Sequence, residues 1–269
     1  MYVEVGGKKV FAATGGKPFD SKKPVVLFLH GSGFDHTIWG LHSRFFAFRQ
    51  YSVLVPDLPG HTNSEGPPLG SIEDMADWLE AVTQAVDAKD ISVVAHSQGC
   101  LVTLEFVSRH PARVKSASFV ASGLATPINP ALIEAAEKDP ESAIAMMLSW
   151  GFGPAGHLHQ GPIPGNSMLA GGRKVMRRNV PNELAADLKA CNAYKNGKAA
   201  AAAIRCPVQV VLAGKDRMAP RKAGMELVAH LNEPELHVVE ESGHIIPQEA
   251  PNRLRRLLRD FIFRHNPAR

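Results

Sequence analysis

Ile91-Ser92-Val93-Val94-Ala95-His96-Ser97-Gln98-Gly99-Cys100-Leu101 is the stretch on which the fold turns. Ile91 to Ala95 suits a buried strand, and Leu101 to Ser108 reads as a helix. Between them His-Ser-Gln-Gly leaves room only for a sharp turn. A serine on such a strand–turn–helix corner has its hydroxyl lifted above the sheet, where it can attack a substrate. The corner asks for a strained backbone at Ser97 and for small residues two places before and after it, where strand and helix approach closely. Gly99 meets that demand, and Ala95 meets it with a single methyl group.

The same grammar recurs outward in both directions. Val25 to Leu29 is followed by His-Gly-Ser-Gly, and Tyr51 to Val55 by Pro-Asp-Leu-Pro-Gly. Val114 to Val120 is followed by Ala-Ser-Gly, Val208 to Leu212 by Ala-Gly-Lys-Asp, and Leu236 to Val239 by Glu-Glu-Ser-Gly-His. Continuous apolar runs of this length suit strands buried on both faces. Ile72 to Val86 repeats its apolar residues near a 3.6 period, and Ser71 with Asp74 resembles a capping box at its start. Alternating strands and helices imply an α/β fold: a mostly parallel twisted sheet with helices on both faces. Val3 to Val5 and Val10 to Ala13, joined through Gly6-Gly7, read as a hairpin at an antiparallel edge.

One stretch breaks the rhythm. From about Leu124 to Ile204 there is no strand pattern, only helical patterns at Pro130 to Glu137 and Glu183 to Tyr194 around a Gly/Pro-rich segment, Gly151 to Gly172. An insertion of this length inside a compact frame is usually functional. The expected division is a core of residues 1–123 and 205–269, with 124–204 an inserted helical lid over the C-terminal edge of the sheet.

The 269 residues are 45% apolar and 21% charged with a net charge of +4, an ordinary globular balance. Basic residues are dispersed. The nearest to a run, Arg253, Arg255, Arg256 and Arg259, reads as a solvated helix face, so neither nucleic acid nor membrane is an expected partner. Cys100, Cys191 and Cys206 are too few and too odd for a disulfide framework and fit a reducing compartment. Met1 to Val10 lacks the basic start and apolar core of a signal peptide, and no apolar run approaches the roughly 18 residues of a membrane span. A soluble cytoplasmic protein, monomer or homodimer, acting on a small molecule is expected.

Chemistry in parallel sheets sits at the C-terminal strand ends. A serine hydroxyl needs a base, and His244 in Ser242-Gly243-His244, straight after the last strand run, is placed to supply it. The base needs an acid on its other nitrogen. Asp216 follows the run Val208 to Leu212, whereas the turn after the preceding strand, Ala121-Ser122-Gly123, holds no carboxylate. Backbone donors for a developing oxyanion are expected from Gln98 and from Ser32, with Gly31 and Gly33 letting a substrate approach closely. No cofactor or metal is called for. His157 and His159 form a His-x-His pair without a third ligand, too little for a metal site. Cys100 and His96 read as packing residues. In the lid, Met147, Trp150, Met146, Phe152 and Met168 either line an apolar pocket or pack against the body, with Met147 and Trp150 taken as pocket residues.

These features resemble the α/β-hydrolase superfamily in its capped, single-domain branch, over essentially the whole chain. The chain order Ser97, Asp216, His244 is similar to that of its triad. So are the His30-Gly31 loop, the Asp57-Leu58-Pro59-Gly60-His61-Thr62-Asn63-Ser64 turn, and Gly243-His244 followed by Pro247 and Glu249. Ala95, Thr62 and Cys100 stand where the family often has glycine, and Asp57 is taken as structural. The resemblance implies a serine hydrolase working through an acyl-enzyme on a small to medium, largely apolar ester, thioester or lactone. A serine at position 97 argues against dehalogenase and epoxide hydrolase chemistry, which uses aspartate there. Two alternatives remain. One is a carbon–carbon bond hydrolase of ring-fission diketone acids, although Ile245 and Ile246 stand where those enzymes typically have Trp. The other is a non-catalytic ligand receptor on the same fold.

Overall fold

In the computed structural model, which describes residues 1–158 and 164–268, the apolar runs become the strands of one eight-stranded sheet. These are β1 (Tyr2–Val5), β2 (Lys8–Ala13), β3 (Val25–Leu29), β4 (Ser52–Pro56), β5 (Ile91–His96), β6 (Val114–Val120), β7 (Val208–Ala213) and β8 (Glu235–Val239). Their spatial order is β1-β2-β4-β3-β5-β6-β7-β8. The β1–β2 hairpin joins β4 antiparallel, and every pairing from β4 to β8 is parallel. The reversal between β3 and β5 opens a crevice beyond their C-terminal ends, where such sheets place ligands.

The strand runs are continuous because the sheet separates two cores. Val25, Leu27 and Leu29 enter one, while Val26 and Phe28 enter the other. Leu54 and Val53 divide the same way, as do Val93 and Val94. Strand β8 departs from the expected double burial. It is the edge strand, and only its last residue, Val239, is fully buried.

Helices cover both faces. Toward the first core lie α2 (Ile72–Ala85) and α3 (Gln98–Arg109); toward the second lies α1 (Gly40–Ala47). Ser71 caps α2 as its sequence suggests, its hydroxyl accepting from the Asp74 amide at 3.0 Å. Between β6 and β7 the described residues form six helices and no strand. They are α4 (Pro130–Lys138), α5 (Pro140–Gly151), α6 (Pro154–His157), α7 (Met168–Met176), α8 (Glu183–Ala193) and α9 (Gly197–Ala203). Pro140 starts α5 at a position that needs no amide, and the Asp139 side chain accepts from Ser142 N. The far end of this insertion is not a cover: Tyr194, Ala200, Ala201 and Ile204 join the first core beside α3. After β7 come α10 (Arg221–His230), α11 (Ile246–Glu249) and α12 (Pro251–His265). The α12 arginines face outward while Leu254, Leu258, Phe261 and Ile262 enter the second core, so the basic run is a solvated helix face. No helix among the described residues is long and apolar enough to cross a membrane.

Candidate active site

Three strand ends meet at one rim. Ser97 follows β5 directly with φ +54 and ψ −122, a left-handed strain that a non-glycine residue adopts only when its surroundings enforce it. The amide of Ser97 donates to the Val120 carbonyl at 3.1 Å, and a Cβ on Gly99 would lie 2.5 Å from the His30 carbonyl oxygen. Any side chain at position 99 would push α3 off the sheet.

Beside Ser97 stands His244. Its Nε2 lies 2.8 Å from Ser97 Oγ, and its Nδ1 lies 2.8 Å from Asp216 Oδ2. A carboxylate only accepts, so Nδ1 carries the proton and Nε2 is left to accept from the hydroxyl. Asp216 Oδ1 accepts from the amides of Met218 and Ala219, each at 2.8 Å. Burial pushes the Asp216 carboxyl up, but the His244 ring and these two amides outweigh it and hold it below its ordinary value. The His244 and Asp216 side chains are 4% and 1% exposed, so water does not compete for this row.

The loop carrying His244 is held from outside. Glu249 Oε2 accepts from Gly153 N at 2.8 Å and Gly243 N at 3.1 Å, and its Oε1 from Ile245 N at 3.2 Å. His244 N donates to Gly151 O at 2.7 Å. Glycine at 243 makes room for this contact, since a Cβ there would sit 2.7 Å from Gly151 O.

The His30-Gly31 loop approaches from β3. Leu58 N donates to His30 Nε2 at 3.0 Å, so Nδ1 carries the proton and donates to Gly31 O, also at 3.0 Å. Burial and the nearby His61 ring lower the His30 pKa to about 4, keeping the ring neutral. Gln98 begins α3, where the first amides have no acceptor within the helix. Gly31 and Ser32 share the cavity at Ser97, and a Cβ on Gly31 would lie 2.9 Å from Ser97 Cβ, so this loop and the Gln98 end of α3 both run beside the serine.

Two cavities meet at Ser97 and His244. The inner one is narrow, about 20 Å³, with Ser32, Phe34, Met147, Met176, Leu188 and Ile245 among its lining. The outer one, about 310 Å³, is bordered by Asn129, Leu132, Trp150 and Arg217. Met147 and Gly31 line the inner cavity, and Trp150 borders the outer one. Gly33 lines neither. Its φ is +73, and its amide is turned onto Asp187 Oδ2 at 3.2 Å.

The sequence reading missed that Asp187 contact. His61 Nε2 lies 2.6 Å from Glu183 Oε1 and 3.2 Å from Asp187 Oδ2, and all three side chains are buried. These three are the one group among the described residues with metal-ligand chemistry. Ligand atoms around one zinc ion at 2.0–2.2 Å lie roughly 3 Å or more apart. The 2.6 Å contact therefore fits an ion pair better than a coordination sphere. Of the His157–His159 pair, His157 Nε2 bonds to Ser149 O at 3.1 Å, and His159 lies outside the described residues. Cys100 is buried with its thiol pushed up to about 12 by burial, so it packs rather than reacts.

Known proteins share this architecture. Protein ABHD8 of Bos taurus is 23% identical over 244 residues, covering 88% of this chain and 56% of the relative. The chain thus spans little more than half the length of that relative. A pimeloyl-[acyl-carrier protein] methyl ester esterase of Chromobacterium violaceum is 26% identical over 233 residues, covering 82% of this chain and 87% of its own. The crystal structure of the enol-lactonase from Burkholderia xenovorans LB400 superposes with a TM-score of 0.86 at 19% identity, covering 97% of this chain and 99% of that one. The family model described as "Alpha/beta hydrolase family" matches residues 26–257, a span that holds every strand from β4 to β8, the serine corner and both of its partners. With that match, the chain belongs to the alpha/beta hydrolase family.

Proposed function

We propose that the chain is a serine hydrolase that cleaves a small to medium, largely apolar ester, thioester or lactone through an acyl-enzyme. The observation that carries this reading is the unbroken row Asp216–His244–Ser97, two contacts of 2.8 Å each. Ser97 Oγ attacks the substrate carbonyl carbon as its proton passes to His244 Nε2, and Asp216 balances the imidazolium. The carbonyl oxygen, now an anion, accepts hydrogen bonds from the amides of Gln98 and Ser32. His244 then gives its proton to the departing alkoxide or thiolate, which in a lactone stays tethered to the acyl group. Water repeats the attack, loses its proton to His244, and releases the carboxylic acid with Ser97 restored.

The outer cavity has room for a small substrate beside Ser97 and His244, and the apolar walls of the narrow inner one suit the end of an acyl group that reaches into it. An enol-lactonase and a methyl ester esterase among the similar proteins support this substrate class. Free Cys100, Cys191 and Cys206 fit a cytoplasmic enzyme. The test is a panel of nitrophenyl esters of rising acyl length, thioesters, lactones and a dienoic diketone acid, with fluorophosphonate labelling of wild type and Ser97→Ala. The expected result is ester or lactone turnover and labelling, both lost in Ser97→Ala. Unchanged turnover by the variant overturns the reading. Turnover confined to the diketone acid replaces it with carbon–carbon bond hydrolysis. No turnover with a large ligand-induced stabilisation makes the chain a receptor.

A further inference from the structure

The insertion grips the oxyanion loop by both sides of one residue. Gly33 N donates to Asp187 Oδ2 at 3.2 Å, and Gly33 O accepts from Asn179 Nδ2 at 3.0 Å. The grip continues to either side of the catalytic serine. Ser32 Oγ lies 3.8 Å from Cys191 Sγ, and Gln98 Nε2 lies 3.5 Å from the Asp187 main-chain carbonyl. Helix α8 therefore reaches both segments that run beside Ser97. The turn itself has little stiffness of its own. Phe34 N closes it onto Gly31 O at 3.1 Å, and Gly33 sits at its positive-φ corner, where glycine has the widest freedom.

A buried carboxylate can hold such a position only if its charge is met. His61, from the turn after β4, supplies the cation at 3.2 Å, and Glu183 one turn earlier on α8 braces the same ring. Burial lowers the His61 pKa, but the two carboxylates outweigh it and hold the ring protonated. Glu183 is in turn held by Asn179 Nδ2 at 2.7 Å, so the two residues gripping Gly33 belong to one network. Leu188 and Cys191, on the same helix, line the inner cavity.

We propose that Asp187, backed by His61 and Glu183, is a positioning residue for the oxyanion hole, so that the seating of α8 sets the rate of attack at Ser97 and not merely access to it. This rests on the serine hydrolase reading above. Orientation of an oxyanion donor acts in the transition state, so its loss lowers kcat and leaves KM nearly unchanged.

The experiment compares wild type, Asp187→Ala, Asp187→Asn and Asn179→Ala on a nitrophenyl ester, with rates normalised to fluorophosphonate-titrated sites. The second readout is inhibition by a trifluoromethyl ketone, whose tetrahedral adduct places an oxyanion in the hole. Asp187→Ala is expected to lower kcat 10- to 100-fold with KM within about twofold, and to weaken the ketone by the same factor. Asp187→Asn keeps an oxygen for the Gly33 amide and recovers a large part of both. Asn179→Ala, which keeps His61, Glu183 and Asp187 but removes one brace on Glu183, shows the same pattern on a smaller scale and serves if Asp187→Ala fails to fold. A rise in KM alone, or wild-type kcat and ketone affinity in both alanine variants, overturns the proposal. Loss of activity in Ser97→Ala alongside wild-type behaviour of these variants would sink only this inference and leave the hydrolase reading standing.

Discussion

His96 Nε2 donates to the main-chain carbonyl of His244 at 2.9 Å, so the residue before the candidate nucleophile steadies the one that activates it. The rings of the two histidines are 4.9 Å apart. Burial and the His244 ring lower the His96 pKa to about 3, so it serves as a neutral donor and not as a second base. His96→Phe keeps the ring and strands a buried carbonyl, which costs about 1–3 kcal/mol. The variant is expected to melt several degrees lower and to lose about tenfold in kcat. Melting curves and steady-state rates check it, and unchanged values in both would show that the His244 carbonyl is held by other means.

Asp216→Asn should leave the fold intact. One oxygen remains for the amides of Met218 and Ala219, but the amide nitrogen then faces His244 Nδ1 and selects the wrong tautomer. A loss on the order of 10⁴-fold in kcat is expected from the same change in a known triad. A near-wild-type rate would mean that another carboxylate orients the base.

Glu249→Gln sets an NH2 group against backbone amides that need an acceptor. Breaking one or two such contacts costs about 1–3 kcal/mol, which in a chain of this size lowers the melting temperature by about 2–12 °C. Because the amides belong to Gly243 and Ile245 around His244, kcat is expected to fall with it. Calorimetry beside an activity assay measures both, and a fall in melting temperature at constant kcat would limit Glu249 to stability.

Acid stability depends on histidines buried uncharged. His42, whose Nε2 donates to Pro247 O at 3.0 Å, has its pKa lowered by burial to about 4. A folded pKa below the unfolded 6.5 means that stability is complete above about pH 6.5 and is lost as pH falls toward 4. At pH 5 this ring's contribution is about 2 kcal/mol. His36 and His61, raised by their carboxylate partners against the effect of burial, act in the opposite direction, so the wild-type curve alone is a mixture. His42→Gln isolates one part, since glutamine donates but does not titrate. Between pH 7.5 and 5.0 its melting temperature is expected to drop about 4–8 °C less than that of wild type. Equal drops would show that His42 is not the titrating group.

Met147→Ala opens the inner cavity beside Ser97. If that cavity holds the acyl chain, the preference for octanoyl over acetyl esters, as a ratio of kcat/KM, should rise about tenfold or more. An unchanged ratio would assign the acyl chain to the outer cavity.

The middle of the sheet was legible because strands β3 to β7 alternate their side chains between two cores, which leaves largely apolar runs in the sequence. The three residues at the rim were legible because each follows a strand within a few positions. The insertion was harder to read. Helices α5 and α7 were missed: α5 carries Ala145, Met146 and Trp150 opposite its buried Ala143, Ile144, Met147 and Leu148, which blurs its period, and α7 carries Gly171-Gly172 in mid-helix. The cluster around His61 was missed because Glu183 and Asp187 have the four-residue spacing of an ordinary solvated helix face. The available signal was the flanking sequence. Leu184, Leu188 and Cys191 share their side of the helix, and a carboxylate among such neighbours needs a buried partner. Glu249 entered only through the resemblance, since its partners are backbone amides that no residue pattern announces.

The contact of Gly151 and Gly153 with the Gly243-His244 loop fastens the root of the insertion to the proton acceptor itself. The imidazole keeps its place beside the hydroxyl through main-chain contacts with the insertion, so a substitution that unseats Gly151 or Gly153 is expected to lower activity without altering a single residue that lines the cavities.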